Sequence, residues 1–176
     1  MKTLRTLLVI AIAIVLFGEK SFAQDPLKNV ATQTATANVI QALTVESKVP
    51  LSFGTFSGKN DVATNVIIPI TGVRTGSANL IATAPGVAGT FDIIGQPNNP
   101  LTITMGYGSS KLTSDNTKGA DMALTDWKTS QDGHLTSLTL PEGGKITLTV
   151  GATLNVGINQ AADTYSGTYS VTVNYN

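Results

Sequence analysis

A strict two-residue alternation near the carboxyl end constrains the fold more than any other feature of this 176-residue sequence. From position 146 to 158 every even-numbered residue is apolar, and the residues between them are Thr, Gly or Asn. Successive side chains of a strand point to opposite faces, whereas a helix of period 3.6 would mix these two sets. The segment is therefore predicted to be a strand with one buried and one wet face, with a bend or bulge at Gly151.

The same alternation returns in the last residues of the chain. One face of the segment 168–176 carries Tyr169, Val171, Val173 and Tyr175. The opposite face carries Thr168, Ser170, Thr172 and Asn174. This segment is predicted to be a second half-buried strand.

The rest of the chain has the composition of an all-β domain. Thr, Val and Ile dominate its short segments, and these β-branched residues suit a pleated sheet. About nine or ten short strands are expected, with Gly106–Asp121 as the longest loop between them. The predicted strands are the second half of 31–46, then 51–56, 66–71, 78–83, 90–94, 101–105, 122–127, 134–140, 146–158 and 168–176.

This strand pattern predicts a two-sheet β-sandwich with Greek-key connections, and a closed barrel is the alternative. An outer-membrane barrel would need strands of ~10 residues with a lipid-facing apolar face along the whole chain. Only the segment 146–158 approaches that pattern, which disfavours the outer-membrane class.

The amino terminus has the features of a Sec signal peptide. Lys2 and Arg5 form a positive region, and an apolar run follows from Leu7 to Phe17. Ser21-Phe22-Ala23 is a small-x-small cleavage site. The apolar run is about half the ~20 residues that a bilayer span requires. Residues 1–23 are therefore expected to be a cleaved export signal.

Cleavage would leave one domain at 24–176, with a flexible segment at about 24–36. It would change the formal count from 11 cationic and 11 anionic residues to 8 and 10, a net charge of −2. No cluster of Lys or Arg remains to bind nucleic-acid phosphates, and no further apolar segment is long enough to span a membrane. The expected location is the periplasm, the cell surface or the medium.

Residues that could support catalysis are few. The sequence has no Cys, so neither a thiol nucleophile nor a thiolate metal site can form. His134 is the one His, and its neighbour Asp132 lies in a Gly-containing turn without a nucleophile elbow. The segment from Gly106 to Lys111 lacks the second Gly of a phosphate-binding loop. No enzymatic activity and no catalytic or cofactor-binding residue is predicted.

Two weaker patterns could indicate a Ca²⁺ site and a sugar-binding site. Their ordinary interpretation is solvated turn residues for the first and isolated aromatic residues for the second. Asp115, Asn116 and Asp121 could offer oxygens to Ca²⁺, but their spacing is not that of an EF-hand, and no metal site is predicted. Trp127 and Tyr107 could stack on a sugar, although single aromatics are more often core or rim residues.

Three segments of the chain resemble one bacterial family. They are Leu51-Ser-Phe-Gly-Thr-Phe56, the stretch Gly89-Thr-Phe-Asp-Ile-Ile-Gly95, and the block from Val150-Gly-Ala-Thr-Leu154 to Tyr165-Ser-Gly-Thr-Tyr-Ser-Val-Thr-Val-Asn-Tyr175. Together they resemble the "domain of unknown function 4402" family, which is similar to spore coat protein U and, more distantly, to fimbrial subunits. The resemblance implies an exported, immunoglobulin-like (pilin-like) β-sandwich and brings no known activity.

The resemblance also implies a role for the last strand, because fimbrial subunits end in an alternating strand with a penultimate Tyr. The candidate partner-binding residues are therefore Tyr169, Val171, Val173 and Tyr175. The expected function is that of a structural or adhesive surface subunit, with other copies of itself or cell-surface proteins as partners. The alternative is a monomeric periplasmic or secreted module that binds a glycan or a protein. If residues 24–45 pair within their own sheet, the sandwich is self-sufficient and Tyr175 only closes its core. If they do not, the chain is a polymerising subunit.

Overall fold

The structure is a computed structural model, and it describes residues 31–108, 110–132, 135 and 137–176. The predicted signal peptide and His134 lie outside the described residues. The chain divides into two units, residues 1–38 and Val39–Asn176. In the first unit, residues 31–38 form neither strand nor helix. All strands described below belong to the second unit.

The described residues form thirteen strands and no helix, so the predicted all-β sandwich is confirmed. Five of the thirteen are only two residues long, which is why their number exceeds the expectation. The strands are β1 (Thr44–Val49), β2 (Phe56–Ser57), β3 (Thr64–Ile68), β4 (Thr75–Gly76), β5 (Asn79–Leu80), β6 (Gly89–Ile94), β7 (Pro100–Gly106), β8 (Lys111–Ser114), β9 (Met122–Thr129), β10 (Leu138–Thr139), β11 (Lys145–Val156), β12 (Tyr165–Ser166) and β13 (Ser170–Tyr175).

The long strand β11 is the centre of the larger sheet, whose order is β1-β6-β11-β9-β8-β12. Its first half pairs with β6, and its second half pairs with β3. The predicted buried face is present, since Leu148, Val150 and Leu154 are fully buried, but the opposite face is not wholly wet, because Gly151 and Thr153 are buried as well. Gly151 lies at a register shift against β9, the predicted bulge. A Cβ at Gly151 would lie 2.3 Å from the carbonyl oxygen of Ile68, so a side chain there would displace β3.

A second sheet, of order β10-β7-β13, covers one half of the larger sheet. The second cluster of buried residues lies between these two layers and includes Ile93, Leu101, Ile103, Leu140 and Leu148. The first cluster lies on β3, β9 and β11, and includes Phe53, Val66, Met122, Leu124 and Leu154. Its cover is the segment 51–58 and the short β2-β5 pair rather than a full sheet.

Two predicted strands near the amino end are wrong in their positions. The first is β1, which begins only at Thr44 and extends to Val49. The backbone of Gln41 is instead bonded to side chains: its N–H donates to Gln96 Oε1 at 3.1 Å, and its carbonyl accepts from the Tyr175 hydroxyl. The predicted strand 51–56 holds a bridge between Ser52 and Val87 and, at its end, the first residue of β2, while the Arg74 guanidinium donates to the carbonyls of Phe53 and Thr55.

Two other expectations also fail near the carboxyl half. The predicted loop 106–121 contains β8, whose one large apolar residue, Leu112, gives no periodic signal. This short strand is stabilised by its pairing with β9 and β12. Ile158 was expected to continue the buried face of β11, but the strand ends at Val156 and Ile158 is 55% exposed.

Asp92 is an ion-paired carboxylate on β6, and its replacement gives the first prediction. Hydrogen bonds from Lys145 (2.9 Å) and from the Thr147 hydroxyl (2.7 Å) lower the pKa of Asp92. A lowered folded-state pKa contributes stability above about pH 4, which is lost as the pH falls through the folded value. Asp92→Asn should therefore lower the Tm at pH 7, and the difference from the wild type should shrink as the pH falls below about 4.

Thermal unfolding followed by circular dichroism at pH 7 and pH 3 measures this difference. Asp61→Asn, in an exposed loop, is the control, and its Tm should match the wild type at both pH values. An equal Tm loss for Asp92→Asn at both pH values would contradict the assignment, because it would show a packing effect rather than a charge effect.

Candidate functional site

The last strand, β13, carries three of the four residues that the sequence predicts to bind a partner. The fourth, Tyr169, directly precedes the strand. Tyr169, Val171, Val173 and Tyr175 are half-buried against the second cluster. The residues between them are exposed. The predicted sorting of these side chains onto two faces is therefore confirmed.

Within the described ranges, no strand is hydrogen-bonded to one edge of β13, and we call it the open edge, although β1 of the other sheet lies close to β13. The strand pairs with β7 on its other side, from Ser170 opposite Gly106 to Tyr175 opposite Leu101. The N–H of Asn176 donates to the Pro100 carbonyl at 3.2 Å, so even-numbered residues face β7. The N–H and C=O groups of Val171 and Val173 therefore point to the open edge.

Two tyrosine hydroxyls hold β13 close to the chain around β1. The Tyr175 hydroxyl accepts from the Gln96 N–H at 2.5 Å and donates to the Gln41 carbonyl at 3.0 Å. The Tyr169 hydroxyl accepts from the backbone N–H of Leu51. Burial raises the pKa of Tyr169, and the Leu51 N–H opposes that rise in part. These contacts place Gln41 at one end of β13 and Leu51 at the other.

The hydroxyl of Tyr175 gives the second prediction. Tyr175→Phe keeps the ring in the second cluster but removes both hydrogen bonds, which leaves the Gln96 N–H without its partner. We expect a loss of about 1–3 kcal/mol in the free energy of unfolding. Urea denaturation measures it, with Tyr107→Phe as the matched control because Tyr107 is 38% exposed. Equal stabilities for Tyr175→Phe and the control would contradict this role.

An apolar groove of about 760 Å³ lies over the first cluster, where the second sheet does not extend. We define the groove by its two rims, residues 51–58 and 160–169, and by a floor of apolar side chains. The floor consists of Leu112, Met122, Leu124, Trp127, Leu154 and Val156. Tyr169 also lines the groove, so the groove begins where β13 begins.

The groove is almost uncharged. Among its described lining residues, the one ionisable acid or base other than tyrosine is Asp163. Its carboxylate accepts hydrogen bonds from Ser114 and from Asn116, which hold the pKa of Asp163 well below its usual range. A charged ligand would lose its hydration here without gaining a free counter-charge. The groove therefore suits an uncharged occupant that presents apolar groups to the floor and polar groups to the rims.

A row of four aromatic rings runs from the surface into the core. Tyr107 and Trp127 have centroids 5.1 Å apart, Trp127 and Tyr169 5.3 Å, and Tyr169 and Phe91 5.7 Å. Trp127 packs against both clusters and is therefore a junction between the two halves of the core. Its buried Nε1 has no hydrogen-bond partner among the residues that the structure describes. The pair considered for sugar stacking thus has one exposed member, Tyr107.

The sequence left open whether residues 24–45 pair within their own sheet, and the structure answers this in part. Residues 44–49 pair with β6, as in a self-sufficient sandwich. Residues 31–43 form no strand, and all of them except Leu43 are exposed. Val39 is 92% exposed, an unusual position for a β-branched apolar side chain. Its side chain is therefore free to be buried by another surface.

The other sequence candidates are distributed as follows. The segment from Gly106 to Lys111 joins β7 to β8, and β8 is a strand where a phosphate-binding loop would need a helix. Asp121 is paired with Lys111 at 2.5 Å. Asp115 accepts from the Ser166 hydroxyl at 2.5 Å. Within the described residues, no group of three acidic or His side chains has the spacing of a metal site.

The comparisons with known proteins give a family and no named relative. No described helix is long and apolar enough to cross a membrane. Neither the curated proteins nor the solved structures contain a match. The family model "Domain of unknown function (DUF4402)" matches residues 43–175, which include the whole of β1 to β13. The chain therefore belongs to the DUF4402 family.

Proposed function

We propose that this protein is an exported structural or adhesive subunit of the cell surface, similar in kind to a fimbrial subunit. The observation that carries the proposal is the open edge of β13, a strand that begins next to the groove at Tyr169. An open edge adds a strand from another chain by backbone hydrogen bonds, and a groove beside it buries that strand's side chains.

A comparison of β1 and β13, each at the edge of one of the two larger sheets, supports this role. Proteins commonly protect edge strands from unwanted pairing with charged residues or Pro. The edge strand β1 follows this rule, since it contains Glu46 and Lys48. The sequence of β13 is SVTVNY, with neither a charge nor a Pro. Of these two edges, that of β13 is the one without a charge or Pro, as expected for a strand that binds a partner.

Export is the second part of the proposal, and its support is the order of features in residues 1–23. A surface location also agrees with the low charge and absence of Cys in the chain. We infer from the sequence motifs that the family also resembles spore coat protein U and fimbrial subunits, which supports a surface role. Partners would then be other copies of the chain or further surface proteins.

A monomeric glycan-binding module is the second candidate, favoured by the exposed ring of Tyr107 stacked on Trp127. It predicts that an array of glycans gives hits that Tyr107→Ala abolishes. The subunit proposal predicts no such dependence on Tyr107.

The subunit proposal is tested on intact cells of the source bacterium. Antibodies against the sandwich should label the cell surface, and the material released by shearing should contain multimers by light scattering. If the protein is absent from the surface and strictly monomeric at every concentration, the proposal is wrong.

A further inference from the structure

We infer that residues 31–40 of one copy lie along the open edge of β13 and in the groove of the next copy, so that copies join head to tail. The inference rests on the proposed function, since it names the partner of the same site. Its arguments come from where the chain enters the sandwich, from the chemistry of the two surfaces and from their lengths.

The chain enters the sandwich at the end opposite to the groove. Gln41 is fixed there by Gln96 and by the Tyr175 hydroxyl. From this point β1 runs antiparallel to β13 and leads to Leu51, which lies at Tyr169 and on the rim of the groove. The eight residues from Thr44 to Leu51 span roughly 25 Å when extended. Gln41 and the groove therefore lie at opposite ends of the sandwich.

This arrangement determines the symmetry of the assembly. A segment at one end and its acceptor at the other make a heterologous contact, in which two different surfaces of the same chain meet. Such contacts leave a free segment and a free groove at the two ends of every chain of copies. Unless the rotation between neighbours closes a ring, the product is an open filament.

The chemistry of residues 31–40 fits the groove. The segment ATQTATANVI has no charged residue, and the groove's one acidic side chain is already hydrogen-bonded. Odd-numbered positions include Ala35, Ala37 and Val39, whereas Thr dominates the even positions. As a strand, the segment would direct its Ala residues, Gln33 and Val39 to the floor, and its Thr residues, Asn38 and Ile40 to water. Small side chains suit a floor that already holds large ones.

The lengths also agree. Ten extended residues span roughly 33 Å, whereas the six residues of β13 span roughly 20 Å. The segment is therefore long enough to pair along the whole open edge and to continue into the groove. In its own copy, the segment would have to reverse direction at 41–43, where Gln41 is fixed on both its N–H and its carbonyl.

Cysteine cross-linking of the full exported chain tests the inference cleanly, because the chain has no Cys of its own. Ala35→Cys, Ala37→Cys and Val39→Cys each provide a donor, and three donors are used because the register is open. Val173→Cys provides the acceptor, since its side chain is on the inner face of β13. Adjacent strands bring paired residues within disulfide range. Asn174→Cys, on the outer face of the same strand, is the matched control.

On mixing and mild oxidation, at least one donor should form a disulfide-linked dimer with Val173→Cys and none should do so with Asn174→Cys. A double variant that carries the reactive donor together with Val173→Cys should give a ladder of multimers on a non-reducing gel. A compact, internally linked monomer from the double variant would overturn the inference, because the segment would then fill its own groove.

A second pair of variants avoids any dependence on disulfide geometry. Val39→Asp places a charge on the donor face of a 92% exposed residue, so it should abolish multimers without changing the Tm. Val62→Asp, at another exposed apolar position, should leave multimers unchanged. If surface-located multimers persist in Val39→Asp and no donor variant forms a cross-link, residues 31–40 are not the segment that binds the next copy. The proposed function would still stand. A protein that is monomeric and absent from the surface would overturn both.

Discussion

Trp127→Ala is expected to lower the free energy of unfolding by about 3 kcal/mol, the lower end of the cost of removing a buried Trp, because Trp127 is half-buried. Trp127 joins the two clusters of the core, and its ring contacts Tyr107 on one side and Tyr169 on the other. Its Nε1 makes no hydrogen bond within the described structure, so the loss comes from packing alone.

Urea denaturation, followed by circular dichroism, measures this loss at constant m-value. Tyr107→Ala removes the exposed end of the same aromatic row and is the matched control, with an expected loss of about 1 kcal/mol. A loss below about 1 kcal/mol for Trp127→Ala would contradict the role of Trp127 as the junction of the core.

Leu148→Ala is expected to cost about 3–5 kcal/mol, and Leu154→Ala should cost less, about 2–3 kcal/mol. Both leucines are fully buried on β11, but they belong to different halves of the sandwich. Leu148 lies between two full sheets, so its removal leaves a closed cavity in addition to the lost transfer energy. Leu154 already borders the groove, so less new cavity is created there.

The same denaturation experiment on both variants, in the non-assembling Val39→Asp background, measures the difference between these costs. Leu154→Ala should become as costly as Leu148→Ala once the groove is filled in the assembled protein. Equal costs in the monomer would contradict an unfilled groove.

The strands that could be predicted from sequence are those whose burial repeats with period two. In β11 and β13 the apolar and polar residues alternate over at least six positions, and the structure confirms both. The strand β8 could not be found this way, because four residues with one Leu do not make a pattern. Its existence depends on neighbours that are distant in sequence, β9 and β12.

Only part of the candidate site could be predicted from the sequence. Alternation identified Tyr169, Val171, Val173 and Tyr175 as one face of a strand, and that face exists. The open edge and the groove could not be found from sequence, because they depend on which strands fail to pair. The rims of the groove come from segments more than 100 positions apart in the chain. One sequence feature pointed to the rims, namely the large residues Phe53 and Phe56 in a segment that forms almost no strand.

The open edge of β13 is the claim on which the proposed assembly depends, and amide exchange by NMR tests it directly. In the Val39→Asp monomer, the N–H groups of Val171 and Val173 should exchange much faster than those of Thr172 and Asn174, which face β7. In the assembled wild type, all four should be protected. Slow exchange at Val171 and Val173 in the monomer would show that this edge is already paired, and would contradict the account.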